Sequence, residues 1–540
     1  MLTTGLTRVR SEAAIPDTNT ATPTVGGGDV PLAGPFLTPG RVVAALLLVC
    51  AVKGAWLTAG VVVPPDADTV RDLGFIQGVR DGNWFHDPAT GGAWRWYPPL
   101  LHDLAALITG TLRLKLFDTW LHAGAVLNLL TPLSFYWMNR RLIGPWPAAV
   151  ATVLLVLFDG LLLPSDAVTG YTPWTLTPAL AWPIFFVSVR LIATAVERGT
   201  IAGAVMAGSC IGVLFLAHTV PGILLAGMTA VTAAVVQGPR WRTLTWLACA
   251  AVVALIWAAP FLLPLLIAYR LHIANVVPGS WVHPVMSEPL TLVPNLLGVA
   301  AMIWLGTQRI WLRLPRGTIA LFAAWILLCV IPLGRHYACD GRTDGACGVF
   351  LVAVHHYLAY LQPVWASLIG LAGVSVTNGR ISTAPLYLVI AACGVAAILF
   401  VLDPEDQSLR RIGSIHPERV LDRGAYDWIL ANTRPDDLFV TELPPNPADM
   451  GPGAATVIAA GRRLVAPPEM HSNPYVAWEP RNAQRLDALR PDADLCPVLR
   501  DAAATTFLLL PAGREVSRAT PVFRSPFNTI YQVPRGVCGA

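Results

Sequence analysis

The chain has 540 residues, of which 54% are hydrophobic and 13% charged, and a formal net charge of +4; its mean hydropathy is +0.57. A soluble core cannot use that much apolar surface, so the composition describes a polytopic α-helical membrane protein. Arginines scatter over the ends of apolar runs and form no basic stripe, which excludes nucleic acid as a partner.

Residues 1–40 are rich in Thr, Pro and Gly, bury too little to offset the entropy of ordering, and are predicted to be a disordered cytoplasmic tail. The first apolar run, Val42 to Val63, is long enough to span and lacks a cleavage site, so it reads as a signal anchor. Runs of this kind predict about eleven transmembrane helices, near 42–63, 118–138, 146–163, 173–193, 201–217, 219–236, 243–264, 290–307, 318–333, 349–374 and 384–402. Arg41, Arg140, Arg141, Arg190, Arg198, Arg240, Arg242, Arg309, Arg316 and Arg380 then fall on one side, which the positive-inside rule makes cytoplasmic. That parity places the first loop, 64–117, and the terminal segment, 403–540, outside the cytoplasm. Leu100 to Phe117 carries Arg113 and Lys115, and is predicted as an interfacial helix on the outer surface.

The first loop opens with Pro64-Pro65-Asp66-Ala67-Asp68 and runs to Tyr97-Pro98-Pro99-Leu100-Leu101-His102. Carboxylates at the mouth of a membrane bundle are costly to keep there, so they mark a candidate site. Asp68 opens a predicted helix, Thr69 to Arg80, from which it can project as a base or merely cap the helix end. The Asp-x-Asp spacing also suits a divalent cation. His86, Trp94, Trp96, Tyr97 and His102 offer stacking faces and hydrogen bonds for a sugar, although aromatic residues also anchor interfaces. Asp166, in the second outer loop, is a further acid or a turn residue. Outer-facing basic groups are Arg335 and His336, His355 and His356, and His218; each histidine can equally be satisfied inside the bundle.

The outer loop from Tyr269 to Glu288 is long enough to act as a gate, and its His and Glu residues match no metal-binding spacing. Cys339 with Cys347, and Cys496 with Cys538, are candidate disulfides; Cys50, Cys210, Cys249, Cys329 and Cys393 lie in apolar runs as packing residues. After Leu402 charge and proline rise, and a separate α/β domain is predicted. Its elements are a helix over 417–433, strands at 438–441, 463–466, 505–510 and 529–533, and helices at 481–489 and 495–503. No phosphate loop or nucleophile elbow follows these strands. His471 to Tyr475 reads as a turn that packs the domain or contacts an acceptor.

Acids just after the first span, a long first outer loop and the Tyr97-Pro98-Pro99-Leu100 motif together resemble the membrane-embedded glycosyltransferases of the C superfamily (GT-C), over about residues 41–402. The resemblance implies a polyprenyl-phosphate-linked sugar donor, a glycan, lipid or protein acceptor outside the cytoplasm, and contact with membrane lipids. It further implies Asp66 or Asp68 as base with Asp166 assisting, and His355 or His356 on the phosphate. Most such enzymes act without metal, so no cofactor is expected. Arginine dominates over lysine, with Lys53 and Lys115 the two lysines, which suits a GC-rich bacterial gene and the bacterial inner membrane. A transporter or flippase of a lipid-linked solute, and a noncatalytic envelope-assembly scaffold, are the competing classes.

Overall fold

A computed structural model describes residues 38–162, 169–275, 289–338, 355–376, 402–445, 449–490, 495–500, 505–517 and 519–534. Asp166, Cys339, Cys347, Cys538, the expected span at 384–402 and most of the expected gate lie outside the described residues.

Helix α1 (Pro39–Thr58) leads into the first loop, which holds α2 (Ala67–Arg80) and α3 (Leu100–Thr111). Helices α4 (Leu116–Leu127), α5 (Leu130–Leu142), α6 (Pro145–Leu162), α7 (Thr177–Arg198), α8 (Ile201–Ala217), α9 (Thr219–Gln237) and α10 (Trp241–Tyr269) follow. The described bundle is completed by α11 (Pro289–Thr307), α12 (Arg316–Ala338) and α13 (His355–Val376). Among the described residues, six helices are long and apolar enough to cross a membrane: Pro39–Thr58, Thr177–Arg198, Thr219–Gln237, Trp241–Tyr269, Arg316–Arg335 and His356–Val376. Trp182, Phe185, Phe186, Trp325 and Tyr360 interlock at the bundle centre, with Phe185 edge-on to Trp325 at 5.0 Å.

One expected span is two helices. The run 118–138 breaks at Asn128 and Leu129, because Pro132 has no N–H to offer the Asn128 carbonyl, which Thr131 takes instead at 3.1 Å. The Asn128 side chain turns to the carbonyls of Thr172 (2.8 Å) and Trp174 (2.9 Å). Those bonds hold the segment 171–176 irregular and buried, and α7 starts at Thr177 and not at 173.

The terminal segment folds as α14 (Pro404–Ile415), α15 (Arg423–Asn432), β1 (Leu438–Thr441), α16 (Pro452–Ala459), β2 (Arg463–Leu464), α17 (Trp478–Ala488), α18 (Cys496–Arg500), β3 (Thr506–Pro511), β4 (Thr520–Arg524) and β5 (Asn528–Gln532). The sheet order is β2-β1-β3-β5-β4, parallel through the first three and antiparallel beyond. The helix expected over 417–433 is shorter, since Asp422 caps α15 through Ala425 N at 3.1 Å; a 3-10 turn at Pro417–Arg419 precedes it. Cys50, Cys210, Cys249 and Cys329 are free, and Cys496 is disulfide-bonded.

This α/β unit does not stand apart from the first loop. Leu57, Val70, Leu73, Trp120 and Trp174 form one continuous apolar core with Phe439, Ile458 and Ile530. Helix α16 lies directly on α2, and an added Cβ at Gly74 would sit 2.2 Å from the Ile458 carbonyl oxygen, so only glycine allows the approach. Around this core Arg462 pairs with Asp81 at 2.6 Å, and Leu464 N donates to the Ala89 carbonyl at 2.9 Å. Lys53 of α1 pairs with Asp406 of α14 at 2.6 Å, with side-chain exposures of 1% and 6%. The Trp174 indole N–H donates to the other Asp406 oxygen at 2.8 Å.

Candidate active site

Helix α2 carries the acids of the first loop into a packed cluster. Asp66, and not Asp68, is the N-cap: its Oδ1 accepts from Thr69 N at 2.8 Å and its Oδ2 from the Thr69 hydroxyl at 2.6 Å. Asp68 lies in the first turn, where its Oδ1 accepts from Arg71 Nη1 at 2.7 Å, and its side chain keeps 32% exposure. Burial, reinforced by the neighbouring Asp68 charge, pushes the Asp66 carboxyl up to about 7 against the pull of its Thr69 hydrogen bonds.

A raised carboxyl value works against the fold at high pH. The stability Asp66 contributes is complete below the unfolded value near 3.9 and is lost as pH rises through about 7. Asn caps a helix as well as Asp does, so Asp66→Asn should flatten the fall of the thermal midpoint in detergent between pH 4 and pH 8. Parallel curves for wild type and variant would show that Asp66 does not titrate there.

Asp72, one turn on from Asp68, is the centre of the cluster and is wholly buried. Its Oδ2 accepts from Thr177 N at 3.2 Å and from the Thr177 hydroxyl at 2.5 Å. It thereby caps α7 from another helix, an end with no side-chain cap of its own, and gains from the positive end of that helix. Its Oδ1 accepts from His102 Nε2 at 3.1 Å and Arg71 Nη2 at 3.3 Å. Burial alone would raise Asp72, but the Arg71 charge and the hydrogen bonds from His102 and Thr177 outweigh it and hold the carboxyl well below the usual range.

His102 has acceptors on both sides, the Pro98 carbonyl at 3.1 Å from Nδ1 and Asp72 beyond Nε2. Burial outweighs the pull of the Asp72 charge and holds the protonation of His102 below the usual imidazole range. Both nitrogens are thus occupied inside the cluster, and His102 braces α3 against α2.

Arg71 lies over the Tyr97 ring at 4.2 Å and 6.0 Å from Trp96. Tyr97 stacks on Phe75 at 6.1 Å and meets His218 edge-on at 6.3 Å; His218 in turn meets His356 at 5.6 Å. His218 is the extended residue at the break between α8 and α9, buried, with no hydrogen-bond partner at Nδ1 among the described residues. Arg95 anchors the aromatic strip through Asp103 at 2.7 Å.

Of the residues expected from sequence, Asp66, Asp68, Trp96, Tyr97, His102, His218 and His356 therefore converge. His86 does not: it stacks on Trp94 at 4.8 Å and is exposed. Trp94 itself ties the loop down, its N–H donating to the Tyr269 hydroxyl oxygen at 2.8 Å and its carbonyl accepting from Asn473 Nδ2 at 2.9 Å. His471 to Tyr475 is therefore a packing turn, with Tyr475 stacked on Tyr269 at 5.3 Å. Arg335 is exposed near the end of α12, and His355 begins α13. No group of three or more His, Cys, Asp or Glu among the described residues is arranged to hold a metal ion. Arg71, Asp72 and Thr177 were not anticipated. An Arg-Asp pair three and four residues after Asp68, on the same helix, is the available signal.

This fold is shared with solved structures. ArnT from Cupriavidus metallidurans in the apo state matches over 93% of this chain and 98% of its own, at 14% identity and a TM-score of 0.53. The same protein bound to undecaprenyl phosphate matches over 93% and 99%, at 13% identity and 0.53. The arabinofuranosyltransferase AftD from mycobacteria matches over 91% of this chain and 40% of its own, at 15% identity and 0.52. No family model and no curated protein matches the sequence. At these identities the likeness establishes the fold alone, a helical bundle with an appended α/β unit.

Proposed function

We propose that this chain is an integral-membrane glycosyltransferase that moves a sugar from a polyprenyl-phosphate-linked donor to an acceptor hydroxyl, by a single displacement with inversion. The observation that carries the reading is a carboxylate cluster at the first loop of a fold that matches ArnT bound to undecaprenyl phosphate over nearly its whole length. The reaction needs a base within reach of the acceptor proton. Asp68 is the better candidate, because both Asp66 oxygens are spent on Thr69, while Asp68 is partly exposed and its Oδ1 alone meets Arg71.

As the acceptor oxygen bonds to the anomeric carbon, its proton passes to Asp68 and the bond from that carbon to the phosphate oxygen breaks. The electron pair leaves on the phosphate. Phosphate leaves well unaided, so the second carboxylic acid that glycoside hydrolysis employs is not required. Hydrogen-bonding and cationic groups must instead meet the growing phosphate charge, a part for Arg335, His355, His356 and His218, with Asp166 assisting at the acceptor. Trp96 and Tyr97 supply the sugar's stacking face, and His102 and Asp72 hold that wall in place.

Lipids copurifying with the protein and with an Asp66→Asn, Asp68→Asn double variant, identified by mass spectrometry, test this directly. A polyprenyl-phosphate sugar enriched on the variant is expected, because binding persists while turnover stops. Solute flux in sealed vesicles without formation of a glycosidic bond would instead make the protein a transporter.

A further inference from the structure

The guanidinium of Arg71 has 9% side-chain exposure, and its donors meet unequal fates. Nη2 donates inward to Asp72 at 3.3 Å, Nη1 donates to Asp68 at the rim at 2.7 Å, and Nε has no hydrogen-bond partner among the described residues. A buried N–H without an acceptor is costly, and it marks a place that a ligand oxygen can complete.

The two carboxylates are not equally free to leave. Asp72 is fixed by Thr177 on α7 and His102 on α3, and cannot move without uncapping a helix. Asp68 is held by Arg71 and is one-third exposed. An anion arriving at the rim therefore competes with Asp68 and not with Asp72, while the Tyr97 ring under the guanidinium keeps its plane in place. A phosphate oxygen suits this exchange, since a guanidinium offers paired donors to it.

We propose that Arg71 trades Asp68 for an oxygen of the donor phosphate while keeping Asp72, so that Asp68 is released as a base only when the donor is seated. This rests on the lipid-phosphate donor assigned above. In the empty site the base is neutralised by its own cation. In the loaded site the same cation faces the leaving group, and the freed carboxylate faces the acceptor.

The exchange predicts opposite responses from two neighbouring residues, which a purely structural role for the pair would not produce. With undecaprenyl phosphate titrated into the detergent-solubilised full chain, Asp68→Asn should bind severalfold more tightly than wild type, because the anionic competitor for Arg71 is reduced to a neutral amide. Arg71→Gln should bind about tenfold or more weakly, and Arg71→Lys should recover part of the loss. Equal or weaker binding by Asp68→Asn overturns the exchange, even if Arg71→Gln does not fold. If wild type does not bind the lipid phosphate, the donor assignment fails and the exchange with it. If wild type and Arg71→Gln bind alike, the exchange alone fails.

Discussion

Asp68→Asn is expected to lower sugar transfer by about 10²- to 10⁴-fold, the usual contribution of a positioned base, while the thermal midpoint in detergent stays close to that of wild type. The amide keeps the size of the side chain and can still accept a hydrogen bond from Arg71 Nη1, but it cannot take the acceptor proton. Because Asp68 does not cap α2, its replacement leaves the helix start intact. The loss should therefore fall on turnover and not on donor affinity. Single-turnover transfer from a radiolabelled lipid-linked donor separates the two, and a variant within about threefold of wild type would remove Asp68 from the chemistry. Asp66→Asn at neutral pH should retain far more activity, since the cap survives the change.

The largest effect on stability is expected at Lys53 and Asp406. Removing one partner of a buried pair leaves the other charge without compensation, typically at about 3–5 kcal/mol. Lys53→Met should therefore lower the thermal midpoint sharply and expose the terminal segment to protease, because Asp406 ties that segment both to α1 and to Trp174. Adding Asp406→Asn should restore part of the loss: the uncompensated charge disappears, and the amide oxygen still accepts from the Trp174 indole. A single Lys53→Met variant as stable as wild type would show that the pair adds nothing to docking.

Much of the bundle was legible because apolar length and local caps mark helix limits without reference to the rest of the chain. Helix α8 runs over Ile201–Ala217 as expected, opened by Thr200, whose hydroxyl accepts from Gly203 N at 3.1 Å. What was not legible depends on partners far away in sequence. The late start of α7 comes from bonds between Asn128 and the segment around Trp174. Strand β4 carries no clear strand signal in sequence, since Pro521 lies within it, and it pairs with β5 through a register shift between Pro521 and Phe523.

The site divided in the same way. Local chemistry points to the acids of the first loop and to the aromatic strip, but it leaves Asp68 open as base or cap, where the chain gives the cap to Asp66 two residues earlier. Asp72 draws its meaning from His102, 30 residues on, and Thr177, 105 residues on, and no pattern within α2 reveals either. His86 lies apart from the cluster for the converse reason. Its aromatic neighbour Trp94 serves the junction between the first loop and the terminal segment.

Because the chain has two lysines, the Lys53–Asp406 pair also sets its amine chemistry. Lys115 is exposed ahead of α4, whereas Lys53 is sealed in the core against Asp406. On the docked protein an acylating reagent thus meets a single reactive lysine side chain, and a second appears only when α14 lifts from α1. The molecule carries its own reporter of undocking, with no engineered label required.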